Sequence, residues 1–160
     1  MLYGPNVDSL SYFKDVIFES DLNVGAEFVM YDGDWNVSIN PELDNISYLH
    51  VNNPKGREVI KNRMMTDGLV DVWMLSNPLQ KDYTWFQGGS EKRARLEYFL
   101  TSPNVPDIIV GVGIEPTDNL SDHGATWMSL ARQRESGEEV FGDSTTFSFL
   151  IPTSWKVPIR

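Results

Sequence analysis

The sequence predicts a mixed α/β chain folded as a layered sandwich rather than a βα barrel. Three observations carry this. Apolar residues recur at helical spacing near the N-terminus and are followed directly by a strand-like run. A long polar segment then separates that pair from a second helical pattern. Beyond it, most of the chain reads as short strands punctuated by turn residues, so helices and strands do not alternate as a barrel requires.

The first helix is expected over 9–21. Ser9 is a suitable cap, Leu10, Phe13, Val16 and Ile17 with Tyr12 recur at helical spacing, and 23–25 ends the pattern. Its apolar face should pack on a sheet. Residues 27–31 read as a buried strand leading into Asp32-Gly33-Asp34-Trp35-Asn36. The segment 40–53 is polar and broken by Pro and Asn, so it reads as loop with a short helical turn. Pro54 suits a helix start, and Val59, Ile60, Met64 and Met65 suggest a helix stopped near Gly68, with 69–75 as a short helical continuation. Met64, Met65 and Trp73 read as core. Turn residues at 86–90 lie between a strand near Thr84-Trp85 and a strand over 94–101, so these two should pair antiparallel. Further strands are expected over 107–113 and 125–130.

At 160 residues the chain can bury a sizeable core, and 41% hydrophobic residues with 8 Phe, 6 Tyr and 5 Trp place it among globular rather than disordered sequences. The absence of Cys excludes disulfides and thiolate metal sites and suits a reducing, intracellular compartment, nuclear or cytoplasmic. No apolar run is long enough to span a membrane as a helix, and neither a signal peptide nor an internal repeat is apparent. A net charge of −10 counts against gripping nucleic acid by general attraction, which needs Lys and Arg in numbers. Lys92, Arg93 and Arg95 could form a local basic patch; the alternative is a solvated turn leading into a strand.

Two motifs carry chemistry. Gly33-Asp34-Trp35-Asn36 sits where a strand ends, and Ser121-Asp122-His123 precedes another apolar run. A carboxylate and an amide leaving a strand can hold a water or a metal beside a phosphate, and an Asp-His pair can add a metal ligand and an imidazole. Taken singly, Gly-Asp-x-Asn is also ordinary turn chemistry and Ser-Asp-His also a cap or solvated loop.

These motifs stand in an ordered series. Tyr3-Gly4-Pro5-Asn6 precedes them, and between them lie Pro41-Glu42-Leu43-Asp44, Gly68-Leu69-Val70-Asp71-Val72-Trp73, Tyr83-Thr84-Trp85 and Arg95-Leu96-Glu97-Tyr98-Phe99-Leu100-Thr101-Ser102-Pro103. Over roughly residues 2–131 the series resembles the endonuclease/exonuclease/phosphatase superfamily, which includes the apurinic/apyrimidinic endonucleases, and most nearly the endonuclease domain of non-LTR retrotransposons. The resemblance implies a DNase I-like, four-layer α/β sandwich.

The resemblance also implies roles. Asp34 would activate the attacking water, and Asn36 would help hold that water or a phosphate oxygen. His123 would contact the scissile phosphate, with a carboxylate behind it fixing its tautomer. Asp122 would be a metal ligand for Mg²⁺ or Mn²⁺, and Tyr3 matches a tyrosine that approaches the phosphate. In the family the carboxylate behind the histidine is an Asp; here Arg95-Leu96-Glu97 offers Glu97, one methylene longer, whose alternative is an exposed Glu on a polar face. Trp85 reads as a hairpin or core residue before a DNA-stacking one, and His50 takes no role.

The implied activity is metal-dependent hydrolysis of DNA phosphodiesters. Family members carry an Asn and a metal-binding Glu in an earlier segment, so the chain is expected to be a C-terminal part of the domain, lacking N-terminal strands, with weak or no activity alone. Unpaired sheet edges would then favour self-association. Residues 132–160 are expected to form a divergent tail. Two other readings stand beside the nuclease: a catalytically inactive remnant or interaction module on the same scaffold, and a phosphoesterase acting on small phosphorylated substrates.

Overall fold

The computed structural model describes residues 2–6, 9–18, 29–48, 52–117, 121–131 and 144–149. Its spine is a sheet of four strands in the order β1 (Leu2–Tyr3), β2 (Met30–Asp34), β7 (Glu97–Thr101), β4 (Val70–Asp71). β1 runs parallel to β2, while β7 pairs antiparallel with both β2 and β4. Five consecutive residues of β7 are buried because both its faces are covered. Tyr98 and Leu100 point into a cluster with Phe13, Ile17, Phe18, Trp35, Val37, Ile39 and Ile60. Phe99 points the other way, onto Val72 and Met128. This period-two alternation makes β7 the shared wall of two cores.

The first core is closed by helices. The described part of the predicted helix over 9–21 is a π-helix, Tyr12–Phe18, with Ser9 Oγ accepting from the Tyr12 N–H at 3.3 Å. It packs on α2 (Pro54–Asp67), which starts at a proline and stops where Gly68 turns left-handed, as the sequence indicates. Gly56 is required at that contact, since a Cβ there would come within 2.5 Å of the Phe13 ring. The second core is closed by a sheet of β8 (Ile109–Glu115), β9 (Ala125–Ala131) and β10 (Ser144–Phe149), paired antiparallel in the order β10-β9-β8. Helices, spine sheet and second sheet thus stack as layers.

Three strands of two residues, β3 (Asn45–Ile46), β6 (Arg93–Ala94) and β5 (Trp85–Phe86), form a small third sheet. The predicted antiparallel hairpin is present as β5 paired with β6. The predicted single strand over 94–101, however, divides: β6 ends at Ala94, β7 begins at Glu97, and Arg95-Leu96 crosses between sheets. The cause is the side chain of Arg95, which is 1% exposed and binds Asp44 and Asp71, so the backbone must turn to bury it.

The continuation predicted over 69–75 is also corrected. Val70–Asp71 is strand β4, and only Val72–Ser76 (α3) is helical. Asp71 holds the extended conformation of an N-cap and accepts from the Met74 N–H at 3.2 Å. β2 extends to Asp34 rather than ending at 31, and residues 27–28 lie outside the described ones. A 3₁₀ helix, Val105–Ile108, precedes β8 where strand was expected from 107. The single turn α1 (Pro41–Asp44) occupies the polar segment, whose residues 49–51, His50 among them, are likewise outside the described ones. Met64 and Trp73 belong to the core, but Met65 is 78% exposed.

Candidate active site

The register of β2 against β7 sets Asp34 directly opposite Glu97. Both are 2% exposed, so two carboxylates face each other in a buried position where like charges repel. His123 arrives from a third direction. Its backbone bridges Trp85, flanked by Phe86 N–H donating to Asp122 O at 2.8 Å and Gly124 N–H to Thr84 O at 2.6 Å. The segment 121–124 is thereby pinned to the third sheet, and the imidazole Nδ1 lies 2.5 Å from Glu97 Oε1. One ligand atom from each of Asp34, Glu97 and His123 falls within 4.8 Å of the others. The longer reach of Glu97 therefore costs no contact with the imidazole.

Asp34 itself is held by the turn that follows it. Its Oδ1 accepts from the Asn36 N–H at 2.8 Å and its Oδ2 from Asn36 Nδ2 at 3.3 Å, while Asn36 adopts a left-handed φ of 50°. Asn36 Nδ2 also donates to Gly4 O at 2.9 Å. Gly4 N–H in turn donates to Asp34 O, and a Cβ at Gly4 would overlap the Trp35 carbonyl, so only glycine lets the first strand approach this closely. Tyr3 is placed by its backbone alone, as the parallel partner of Asp34. Trp35 faces away from the site; it is fully buried and stacks on Phe13.

Electrostatics follow from this burial. The pKa of Asp34 is pushed up to about 7, chiefly because burial penalises its charge and secondly because Glu97 repels it; the Asn36 N–H and His123 pull the other way. Burial opposes the charge of His123 as well, but the hydrogen bond and charge of Glu97, with Asp34 and Asp122, outweigh it and raise the imidazole pKa. Glu97 Oε2 is buried with no partner among the described residues. The cluster is short of positive charge, so its donor set of carboxylate oxygens fits a hard divalent cation.

His123 lines a pocket of about 370 Å³ together with Asn6, Asn36, Tyr48, Trp85 and Asp122, while Asp34 and Glu97 are buried and do not form part of its lining. Asp122 stands at its edge, one carboxylate oxygen accepting from Trp85 Nε1 at 3.2 Å. Asn52 and Asn53 both donate to the Asn36 carbonyl, at 3.0 and 2.7 Å, and Asn53 also donates to Pro5 O at 3.0 Å. Thr84 Oγ1 accepts from the N–H groups of Leu96 and Glu97 at 2.8 and 3.3 Å. None of these three was given a role from sequence, although Thr84 falls within the motif Tyr83-Thr84-Trp85. An Asn pair before a helix-starting proline and a Thr beside a Trp are common local signals, and their partners lie on other segments. The basic patch read from Lys92, Arg93 and Arg95 is corrected, since Arg95 is internally paired; Arg93 packs over Phe86 and Lys92 over Tyr48.

No protein-family model matches the sequence, and neither does any curated protein. Solved structures do. The catalytic domain of Xenopus laevis APE2 superposes with a TM-score of 0.63 at 22% identity, over 77% of this chain and 46% of that one. An AP endonuclease from Archaeoglobus fulgidus gives 0.61 at 20%, over 76% and 55%. A 3′ phosphatase from Neisseria, bound to product DNA hairpin, gives 0.61 at 18%, over 77% and 56%. The chain spans about half the length of each. No helix of the described residues is long and apolar enough to cross a membrane. The architecture of the described residues is that of a DNase I-like α/β domain, shared with these AP endonucleases and this phosphatase.

Proposed function

We infer that the chain hydrolyses phosphodiesters of DNA with a divalent metal, in the manner of a retrotransposon-type endonuclease. The observation that carries this is the convergence of Asp34, Glu97 and His123 at one end of the spine sheet, with His123 and the neighbouring Asn36 in the wall of a polar pocket.

Asp34, with a pKa near 7, accepts a proton from the water whose oxygen forms the new bond to phosphorus. Both hydrogens of Asn36 Nδ2 are already directed to Gly4 O and Asp34, so Asn36 is left with an acceptor oxygen, which suits a water better than a phosphate oxygen. His123, whose charged form Glu97 favours, donates to a non-bridging oxygen as charge builds there and the old phosphorus–oxygen bond breaks. Asp122 would hold Mg²⁺ or Mn²⁺, which when bound shields the phosphate charge and stabilises the leaving oxygen.

The test is plasmid nicking in Mg²⁺ by the wild-type chain, Asp34→Ala and His123→Ala. Each substitution should lower the rate about 100- to 10,000-fold, and EDTA should abolish it. Equal nicking by all three proteins would end this reading. The net charge of −10 favours a second one, a phosphoesterase on small phosphorylated substrates, because such a ligand needs less basic surface. Release of phosphate from small phosphomonoesters without nicking would select it.

A further inference from the structure

Two residues of the pocket wall take no step in the hydrolysis, yet their amides reach into the turn that carries Asn36. Asn52 and Asn53 immediately precede Pro54, the first residue of α2, and line the pocket beside Asn36. Asn53 is the deeper of the two, 7% exposed, and stands in the left-handed region with φ 42°, which Asn tolerates better than most residues. Its Nδ2 donates to Pro5 O and to Asn36 O, so one amide ties the loop after β1 to the turn after β2. Asn36 O also accepts from Asn52 Nδ2, which fills both lone pairs of that carbonyl. Asn52 Oδ1 in turn accepts from the Ser38 N–H at 3.4 Å, two residues further along.

The bonds that Asn36 makes to Asp34 fix its side chain only relative to its own turn. What fixes that turn relative to the pocket comes from Asn53. We propose that Asn53 is a positioning residue: acting through the Asn36 carbonyl, it holds the turn so that the Asn36 side-chain oxygen is aimed at the attacking water. The proposal rests on the phosphodiesterase reading above, in which that oxygen accepts from the water. Asn53 has a firm base for this task, because the proline that follows it has a locked φ and Gly56 of the same helix lies against the Phe13 ring. A turn released from that base lets the oxygen drift from the productive geometry, which costs rate without removing any contact to substrate.

The test starts from Asn53→Gly, which accepts the left-handed backbone and removes only the amide. In Mg²⁺ its kcat for plasmid nicking should fall about 10- to 100-fold with KM nearly unchanged. In an Asn36→Ala background the same substitution should cost at most about twofold more, since the group it positions is already gone. In EDTA, without turnover, the Asn36 side-chain amide resonances should move and the Asn36 backbone amide should exchange faster with solvent, while the amides of β7 keep their wild-type protection. Equal falls in kcat in the two backgrounds, Asn36 resonances that stay in place, or a loss of protection throughout β7 overturns the proposal even where the wild type nicks well. Displaced Asn36 resonances in a protein that never nicks keep Asn53 as the anchor of the turn and remove the nuclease instead.

Discussion

Arg95 and Glu97 stand two positions apart on the crossing from β6 to β7, each at most 2% exposed, yet their polar surroundings are of opposite kinds. Around Arg95 the charges are matched. Its Nε donates to Asp44 at 2.9 Å, its two terminal nitrogens donate to both oxygens of Asp71 at 3.0 and 2.6 Å, and its guanidinium lies against the rings of Trp73 and Tyr98. The Tyr98 hydroxyl donates to the Arg95 carbonyl at 2.6 Å, closing the network on itself. Around Glu97 the charges are not matched. Asp34 faces it, His123 takes one oxygen, and the other has no partner among the described residues. A satisfied buried network specifies a fold, whereas one left short of a cation is poised for a ligand or a proton.

The largest way to break this contrast is to unpair the satisfied side. Arg95→Met leaves Asp44 and Asp71 buried without a counter-charge, which costs about 3–5 kcal/mol. For a chain of this size that corresponds to a fall in the unfolding midpoint on the order of 10 °C, read by differential scanning calorimetry. A midpoint within a degree or two of wild type would mean that the Arg95 network is not the fold's anchor.

That anchor was only partly legible in the sequence. The series of motifs from Asp34-Trp35-Asn36 to Asp122-His123 could be read because each lies at the end of a locally recognisable run. Pro54 and Gly68 likewise bracket α2 with chemistry that is local to the chain. The division of the predicted strand 94–101 could not be read, because Arg95 turns inward to meet Asp44 and Asp71, which are distant in sequence. The same bond fixes Asp71 as a cap rather than a helical residue. Asn52, Asn53 and the role of Thr84 were missed for a related reason: their partners are backbone groups of other segments, and a backbone carbonyl or amide has no signature in sequence.

On the unsatisfied side, Glu97→Gln should leave the unfolding midpoint nearly unchanged and lower activity instead. The amide oxygen can still accept from His123 Nδ1, so the ring stays in place, but the negative charge that helps raise the imidazole pKa is gone. The His123 titration followed by NMR should move to lower pH, and nicking should fall about 10- to 100-fold, the usual cost of removing a group that orients a functional histidine. An unshifted titration would show that Glu97 does not supply the charge His123 depends on.

The pH dependence of stability has a sign that separates the two regions. Burial and Glu97 hold the folded pKa of Asp34 near 7, well above the ordinary carboxylate value. Between those two values the native state binds a proton that the unfolded chain does not, so ionising Asp34 drains stability as the pH rises through this window. Asp34→Asn removes that ionisation while Asn Oδ1 can keep the hydrogen bond from the Asn36 N–H, at the expense of the one from Asn36 Nδ2. The substituted protein should therefore gain on the order of a few kcal/mol over wild type at pH 8 and little at pH 4, where the native carboxyl is neutral and the unfolded one is only about half ionised. Thermal melts at the two pH values measure the difference. A variant less stable than wild type at pH 8 would place Asp34 among matched charges, as Asp44 and Asp71 are, and would erase the distinction between the two sides of Leu96.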